Sequence, residues 1–201
     1  MIKSCPKEKR ISEIFQDKIS KTVEQIVDRW YELDDIGYIP QNEKFLDLLH
    51  EAEQLYCFGF YTGTISIIGI ACEEYCKFLI DTHGIPEVKT QNERINVLYE
   101  NQKIDSNLKN LLHRVRKIRN DCMHYNLAFK TSDENQLKTS AFEIISLYKT
   151  CLLPLAEEID DSSEEKIIGE FISSKEKNFR EYIFKHRNML KKLRGLDLQI
   201  D

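Results

Sequence analysis

The chain has 201 residues, with 29 Lys and Arg against 34 Asp and Glu, and its formal net charge is −5. This length suffices for one good hydrophobic core, and no Pro-, Gly- or Ser-rich linker divides it into independent domains. An acidic chain has no overall attraction for nucleic acid, so any site for a polyanion must be local.

The six cysteines are predicted to be reduced. The N-terminal stretch MIKSCPKEKR is charged and has no apolar run behind it, so we expect no secretory segment and a cytoplasmic location. Cys72 and Cys76 could form half of a metal site, but no second pair at ligand spacing exists, and burial as small apolar side chains is favoured. The longest uncharged run, residues 57 to 72, is shorter than the roughly 20 residues of a membrane span. We therefore expect no metal, no cofactor and no membrane partner.

The first predicted helix covers residues 9 to 34, where apolar side chains recur at steps of three and four. These side chains are Ile11, Phe15, Ile19, Val23, Ile26, Trp30 and Leu33. Gly37 and Pro40 interrupt the pattern, and Asn42 is a candidate cap for a second helix. Residues 61 to 82 are apolar on nearly all sides, which is typical of a central helix covered by its neighbours.

The second half of the chain continues the helical pattern. A short helix is predicted in NERINVLYEN, and the next one carries an apolar seam formed by Leu108, Leu111, Val115, Ile118, Cys122 and Tyr125. Ser132 or Asp133 can cap a further helix, which Pro154 bends or ends. Ser162 and Glu165 have the spacing of a capping box, and a charged helix is predicted from there to Arg194.

No strand pattern of useful length occurs, so we predict an all-α fold. Its core is an antiparallel four-helix bundle in residues 42 to 158. An N-terminal amphipathic helix and turn occupy residues 1 to 41, and a charged helix occupies residues 159 to 201.

The stretch RKIRNDCMHYN, residues 116 to 126, gathers the chemically capable side chains of the chain. On an ideal helix of about 100° per residue, His124 lies roughly 140° around from Arg119, so one regular helix cannot aim both at a single atom. Either the helix unwinds between Asn120 and Asn126, or Arg119 and His124 meet their counterparts from a second chain. Asn120 and His124 share a face, as residues at i and i+4 do.

The same side of this helix carries further candidates for substrate binding. They are His113, Arg116 and Lys117, and Tyr125, which follows His124, is a further candidate. Arg grips phosphate oxygens with two parallel donors, and His exchanges protons near neutral pH. Together with an orienting Asn, these groups suit cleavage of RNA by its own 2′-hydroxyl, which requires no metal. The alternative is a surface Arg and a capping His that offset the helix dipole.

IRNDCMH, at the end of an amphipathic helix and preceded by the buried helix TISIIGIACEEYCKFLID, resembles the HEPN superfamily of helical nucleotide-binding domains. The part ACEEYCKFLI is similar to the acidic second helix of its abortive-infection-type members. The resemblance covers roughly residues 42 to 158. It implies a four-helix bundle with an Arg-x4-6-His motif, matched here by Arg119, Asn120 and His124.

The resemblance also implies an activity and partners. Many members are metal-independent endoribonucleases that dimerise so that two motifs form one cleft. They act as toxins or phage-defence effectors with an antitoxin or defence-system protein as partner. By this resemblance, Arg119 holds the scissile phosphate, His124 transfers protons and Asn120 orients. Other members are catalytically silent modules that bind nucleotide, RNA or protein, and this is the alternative function.

Glu73 and Glu74 stand near the end of the apolar central helix. A carboxylate at the rim of such a helix needs a partner or water. We expect one of the two to support the site by pairing with Arg116 or Arg119, and the alternative is that both are solvated.

Overall fold

The computed structural model describes residues 6–36, 39, 43–124 and 126–156, and these ranges are helical and contain no strand. The all-α prediction is confirmed. The α-helices are α1 Pro6–Glu32, α2 Lys44–Cys57, α3 Tyr61–Thr82, α4 Gln91–Glu100, α5 Ser106–Met123, α6 Leu127–Lys130 and α7 Glu134–Leu152, and a 3₁₀ turn, Leu153–Leu155, follows.

Helix α3 is the centre of the molecule, and it packs against α2, α4, α5 and α7. Its residues are apolar on most sides because neighbours cover most of its surface. The buried phenol of Tyr148 on α7 donates to the carbonyl of Ala71 on α3 at 3.0 Å and lies 3.4 Å from that of Phe45 on α2. One hydroxyl thus ties three helices of the bundle together.

Side-chain caps fix where three of these helices begin. Asp105 accepts from the N–H of Leu108 at the start of α5, and Asp133, one of the two predicted candidates, caps α7. Thr90 caps α4 in a capping box with Glu93. The predicted cap Asn42 and the charged helix beginning near Ser162 lie outside the described residues.

The seam of α5 faces the core as predicted. Val115 and Cys122 are buried, and Leu108, Leu111 and Ile118 pack partly buried against the core. Leu112, which the spacing did not single out, is also fully buried. Pro154 stands in the 3₁₀ turn directly after α7, where a missing N–H ends the helix.

Only one end of the amphipathic helix α1 is packed in the described part of the chain. Trp30 and Leu33 are buried against the bundle, whereas Ile11, Phe15 and Val23 are exposed. None of the described helices combines the length and apolar character of a transmembrane span. The cysteines within the described ranges, Cys57, Cys72, Cys76, Cys122 and Cys151, are all buried.

The core contains one ion pair that the hydrophobic pattern did not reveal. Lys149 Nζ contacts Glu53 Oε1 and the carbonyl of Asp34, and both charged side chains are buried. Lys149→Met should lower the free energy of unfolding by about 3–5 kcal/mol, because the buried carboxylate of Glu53 would lose the ammonium group that contacts it.

Urea denaturation measures this cost. The matched control is Lys138→Met, since Lys138 pairs with Glu32 at 2.6 Å where both side chains are more than a third exposed. That change should cost less than about 1 kcal/mol. Equal costs for the two variants would contradict the structural role assigned to Lys149.

Candidate functional site

Arg119, in the last turns of α5, crosses α3 at Gly69. A Cβ atom placed on Gly69 would lie 2.2 Å from Cγ of Arg119 and 2.9 Å from its Cβ. Such distances are far inside van der Waals contact, so only a residue without a side chain fits beneath Arg119. The aliphatic part of Arg119 is therefore laid across the bare backbone of α3, which fixes the direction of its guanidinium.

The guanidinium of Arg119 is half-buried and has a polar neighbour. Its Nη1 donates to Oδ1 of Asn120 at 3.0 Å. Among the described residues, neither Arg119 nor Arg116, one turn earlier on α5, pairs with a carboxylate. Arg116 also has a buried Nε that makes no hydrogen bond. Two half-buried cations, which no carboxylate in the described part of the chain neutralises, thus stand one turn apart on α5.

Both arginines open into a cavity of about 250 Å³ between α3, α5 and the first turn of α4, which we call the arginine cavity. Its walls from α3 and α5 are Gly69, Cys72, Glu73, Arg116, Arg119 and Asn120. The structure thus brings together three of the predicted site residues on α5, and one of the two predicted acidic residues.

His124 occupies a different position. Helix α5 stays regular through Met123, and His124 is its C-cap, with its N–H bonded to the carbonyl of Asn120 at 2.9 Å. Its side chain is exposed and does not line the arginine cavity. The helix therefore stays regular past Asn120 and ends at Met123, within the range where unwinding was expected as one route to convergence. Tyr125 lies outside the described residues.

Two other predicted residues also lie away from the arginine cavity. Lys117 is exposed, and His113 is half-buried with an Nδ1 that has no hydrogen-bond partner. Burial, with the positive charges of Arg116 and Lys109, lowers the pKa of His113. His113 is consequently neutral at neutral pH and adds no charge for a substrate.

The prediction that Glu73 or Glu74 pairs with Arg116 or Arg119 is wrong. Glu73 pairs with Arg94 of α4 at 3.0 Å, and Glu74 pairs with Lys77 at 2.8 Å. Arg94 is almost fully buried, so its charge is poorly solvated and is stabilised by the carboxylate of Glu73. Glu73 still lines the arginine cavity, but its charge is already engaged.

Sequence reasoning missed Gly69 and the residues of α4. A glycine inside a helix costs about 1 kcal/mol relative to alanine, so Gly69 in SIIGIAC was an available indication of a close approach. Gln91 Nε2 donates to the carbonyl of Cys72 and to Sγ of Cys76, each at 3.2 Å, and holds α4 against α3. Nothing in the local pattern of QNERINVLYE predicts that contact.

Cys72 lines the arginine cavity but is not a candidate nucleophile. The hydrogen bond with Cys76 and burial raise the pKa of the Cys72 thiol well above its ordinary value. The thiol therefore stays protonated, and the thiolate is the nucleophilic form.

No three His, Cys, Asp or Glu side chains of the described ranges come close enough to share a metal ion. The polar side chains that line the arginine cavity carry guanidinium, amide, hydroxyl, thiol and carboxylate groups. Comparison of the chain with family models, with curated proteins and with solved structures found no match, so the site is interpreted from its own geometry.

Proposed function

We propose that this chain is a metal-independent endoribonuclease of the HEPN type, which works as a homodimer in the cytoplasm and cleaves RNA through its own 2′-hydroxyl. The proposal rests on the burial, fixed position and charge of Arg119. Its guanidinium is half-buried, fixed by Gly69 and Asn120, and not neutralised by any carboxylate of the described residues. A guanidinium held in this way is preorganised to bind an oxyanion.

The reaction assigns a role to each motif residue. Arg119 binds the scissile phosphate and stabilises the charge that develops on it. Asn120 orients the guanidinium through the 3.0 Å hydrogen bond. His124, which is exposed, takes or returns a proton at the 2′-hydroxyl or the leaving oxygen.

A second copy of the chain supplies the convergence that one helix lacks. Arg119 opens into the arginine cavity and His124 lies outside it, so the two residues reach one phosphate from opposite chains of a two-fold dimer. Exposed apolar side chains support an interface here. Met123, beside His124, is 52% exposed and accepts from Ser66 on α3, and Ile70, beside Gly69, is 41% exposed.

The activity is tested by incubating the purified protein with mixed RNA in the presence of a chelator. We expect cleavage that spares DNA and leaves 2′,3′-cyclic phosphate ends, because the nucleophile is the substrate's own hydroxyl. Cleavage of DNA, or activity that disappears with the chelator, would contradict this mechanism.

The dimer is tested by light scattering, which should give twice the chain mass of 23.8 kDa. Met123→Glu should give a monomer without nuclease activity, because it places a charge in the apolar interface. Leu153→Glu is the control, since Leu153 is also 52% exposed but lies at the far end of α7. A monomeric wild-type protein that still cleaves RNA would exclude the two-chain site.

The alternative function is a catalytically silent module that binds RNA, a nucleotide or a protein partner. The separation of His124 from the arginine cavity favours it for an isolated chain. Binding of RNA without cleavage by a stable dimer would select this alternative. Either function is compatible with a toxin or phage-defence effector that has an antitoxin or defence-system protein as partner.

A further inference from the structure

Arg116 is not explained by the chemistry proposed for Arg119. It lines the arginine cavity, its Nε is buried without a hydrogen-bond partner, and no carboxylate of the described residues pairs with it. A buried donor that makes no hydrogen bond is destabilising, and such groups are uncommon in folded proteins. The charge of Arg116, which no carboxylate of the described residues pairs, is available to an anion in the cavity.

The wall of the arginine cavity opposite Arg116 also favours an anion. Thr90, Gln91 and Asn92 line it, and Gln91 and Asn92 are the first two residues of α4. Backbone N–H groups at these positions have no acceptor within their own helix. Glu73, the acidic side chain among the described residues that line the cavity, is engaged by Arg94 at 3.0 Å and lies 3.8 Å from Lys77.

We propose that the part of the arginine cavity beside Arg116 is a second phosphate site, which holds the phosphate next to the scissile one bound by Arg119 in an RNA strand. Residues at i and i+3 of a helix have Cβ atoms about 5–6 Å apart, so Arg116 and Arg119 can address neighbouring phosphates of one strand. A cavity of about 250 Å³ accommodates a phosphate group together with several waters. The assignment to RNA rests on the proposed function.

This site defines the substrate class. The preferred substrate is a strand with at least two consecutive phosphates, and a dinucleotide with a single phosphate is a poor one. Arg116 binds a phosphate that does not react, so it strengthens the binding of the substrate and of the transition state equally. Its removal should raise KM and leave kcat nearly unchanged.

Binding is measured without catalysis by NMR titration with DNA, which lacks the 2′-hydroxyl. The ligands are inorganic phosphate, a thymidine dinucleotide with one phosphate and a trinucleotide with two. Wild-type protein should bind the trinucleotide about tenfold or more tightly than the dinucleotide, since a second charge-assisted contact is made. Arg116→Gln should abolish that difference.

The matched control is Arg114→Gln, which removes the same charge from the same helix. Arg114 is exposed and donates to Glu143 at 2.7 Å, outside the arginine cavity. Arg114→Gln should bind the trinucleotide like the wild type. Equal loss of affinity in Arg114→Gln and Arg116→Gln would overturn the second site and indicate general charge attraction.

The remaining outcomes separate this site from the proposed function. A trinucleotide that binds no better than inorganic phosphate or the dinucleotide overturns the strand assignment, even if the protein cleaves RNA. The expected affinities in a protein that cleaves no RNA support the phosphate site and reject the nuclease.

Discussion

His124→Ala is expected to lose on the order of 10² to 10⁴ in the rate of RNA cleavage, which is typical when a proton-transfer group is removed. The fold should persist, because the His124 side chain is exposed and the hydrogen bond that caps α5 uses its backbone N–H. Initial rates over a range of pH measure the effect. Retained activity would remove His124 from the mechanism.

Arg119→Lys is the companion variant. Lysine keeps the positive charge but cannot reproduce two parallel donors, so it should not restore activity. Neither change touches the apolar seam of α5, where Val115 and Cys122 are buried. Thermal unfolding should therefore resemble that of the wild type. If either variant lost much of its stability, its lower rate could not be assigned to the chemical step.

Mixing two inactive chains tests where the residues meet. If Arg119 and His124 act from opposite chains, a dimer of Arg119→Ala with His124→Ala retains one intact pair of the two. Random assembly places about half of the chains in mixed dimers, so the co-refolded mixture should show about a quarter of wild-type activity. If both residues act from the same chain, the mixture should be as inactive as its components.

The local pattern of apolar residues and caps predicted the helices well, because helix formation depends on that pattern. Residues 61 to 82 are apolar on nearly all sides, and α3 has these same bounds. Asp133 caps α7 because a short acceptor before an amphipathic stretch satisfies the first free N–H groups. Leu112 was missed because a seam stepped at three and four residues is narrower than the face that α5 buries.

The site could be predicted only as a set of residues on one helix. Arg116, Arg119 and Asn120 face one cavity, whereas the helical spacing had placed only Arg116 and Asn120 on a common side. Their surroundings depend on how α4 packs, and no local pattern specifies that packing. Glu73 consequently pairs with Arg94, which is distant in sequence, and the wall formed by the start of α4 could not be anticipated.

Gly69→Ala should reduce RNA cleavage about a hundredfold, an effect typical of a misplacement of about 1 Å at a catalytic centre. A methyl group at this position would lie 2.2 Å from Cγ of Arg119, so the guanidinium must leave its place beside Asn120. Alanine favours a helix by about 1 kcal/mol over glycine, which partly offsets the cost of the clash. The variant should fold and yet be nearly inactive.

Gly63→Ala separates this effect from helix propensity. Gly63 lies nearly two turns earlier on α3, and a Cβ there would make ordinary contacts, 3.4 Å from Leu55 Cδ1, 3.8 Å from Leu55 Cδ2 and 3.9 Å from Phe60 Cβ. It gains the same propensity without touching Arg119, so it should be as stable as the wild type or slightly more stable, with full activity. Both changes add one methyl group to α3, so a difference in activity between the two variants must come from displacement of Arg119. Full activity in Gly69→Ala would mean that the position of Arg119 on α3 does not govern cleavage.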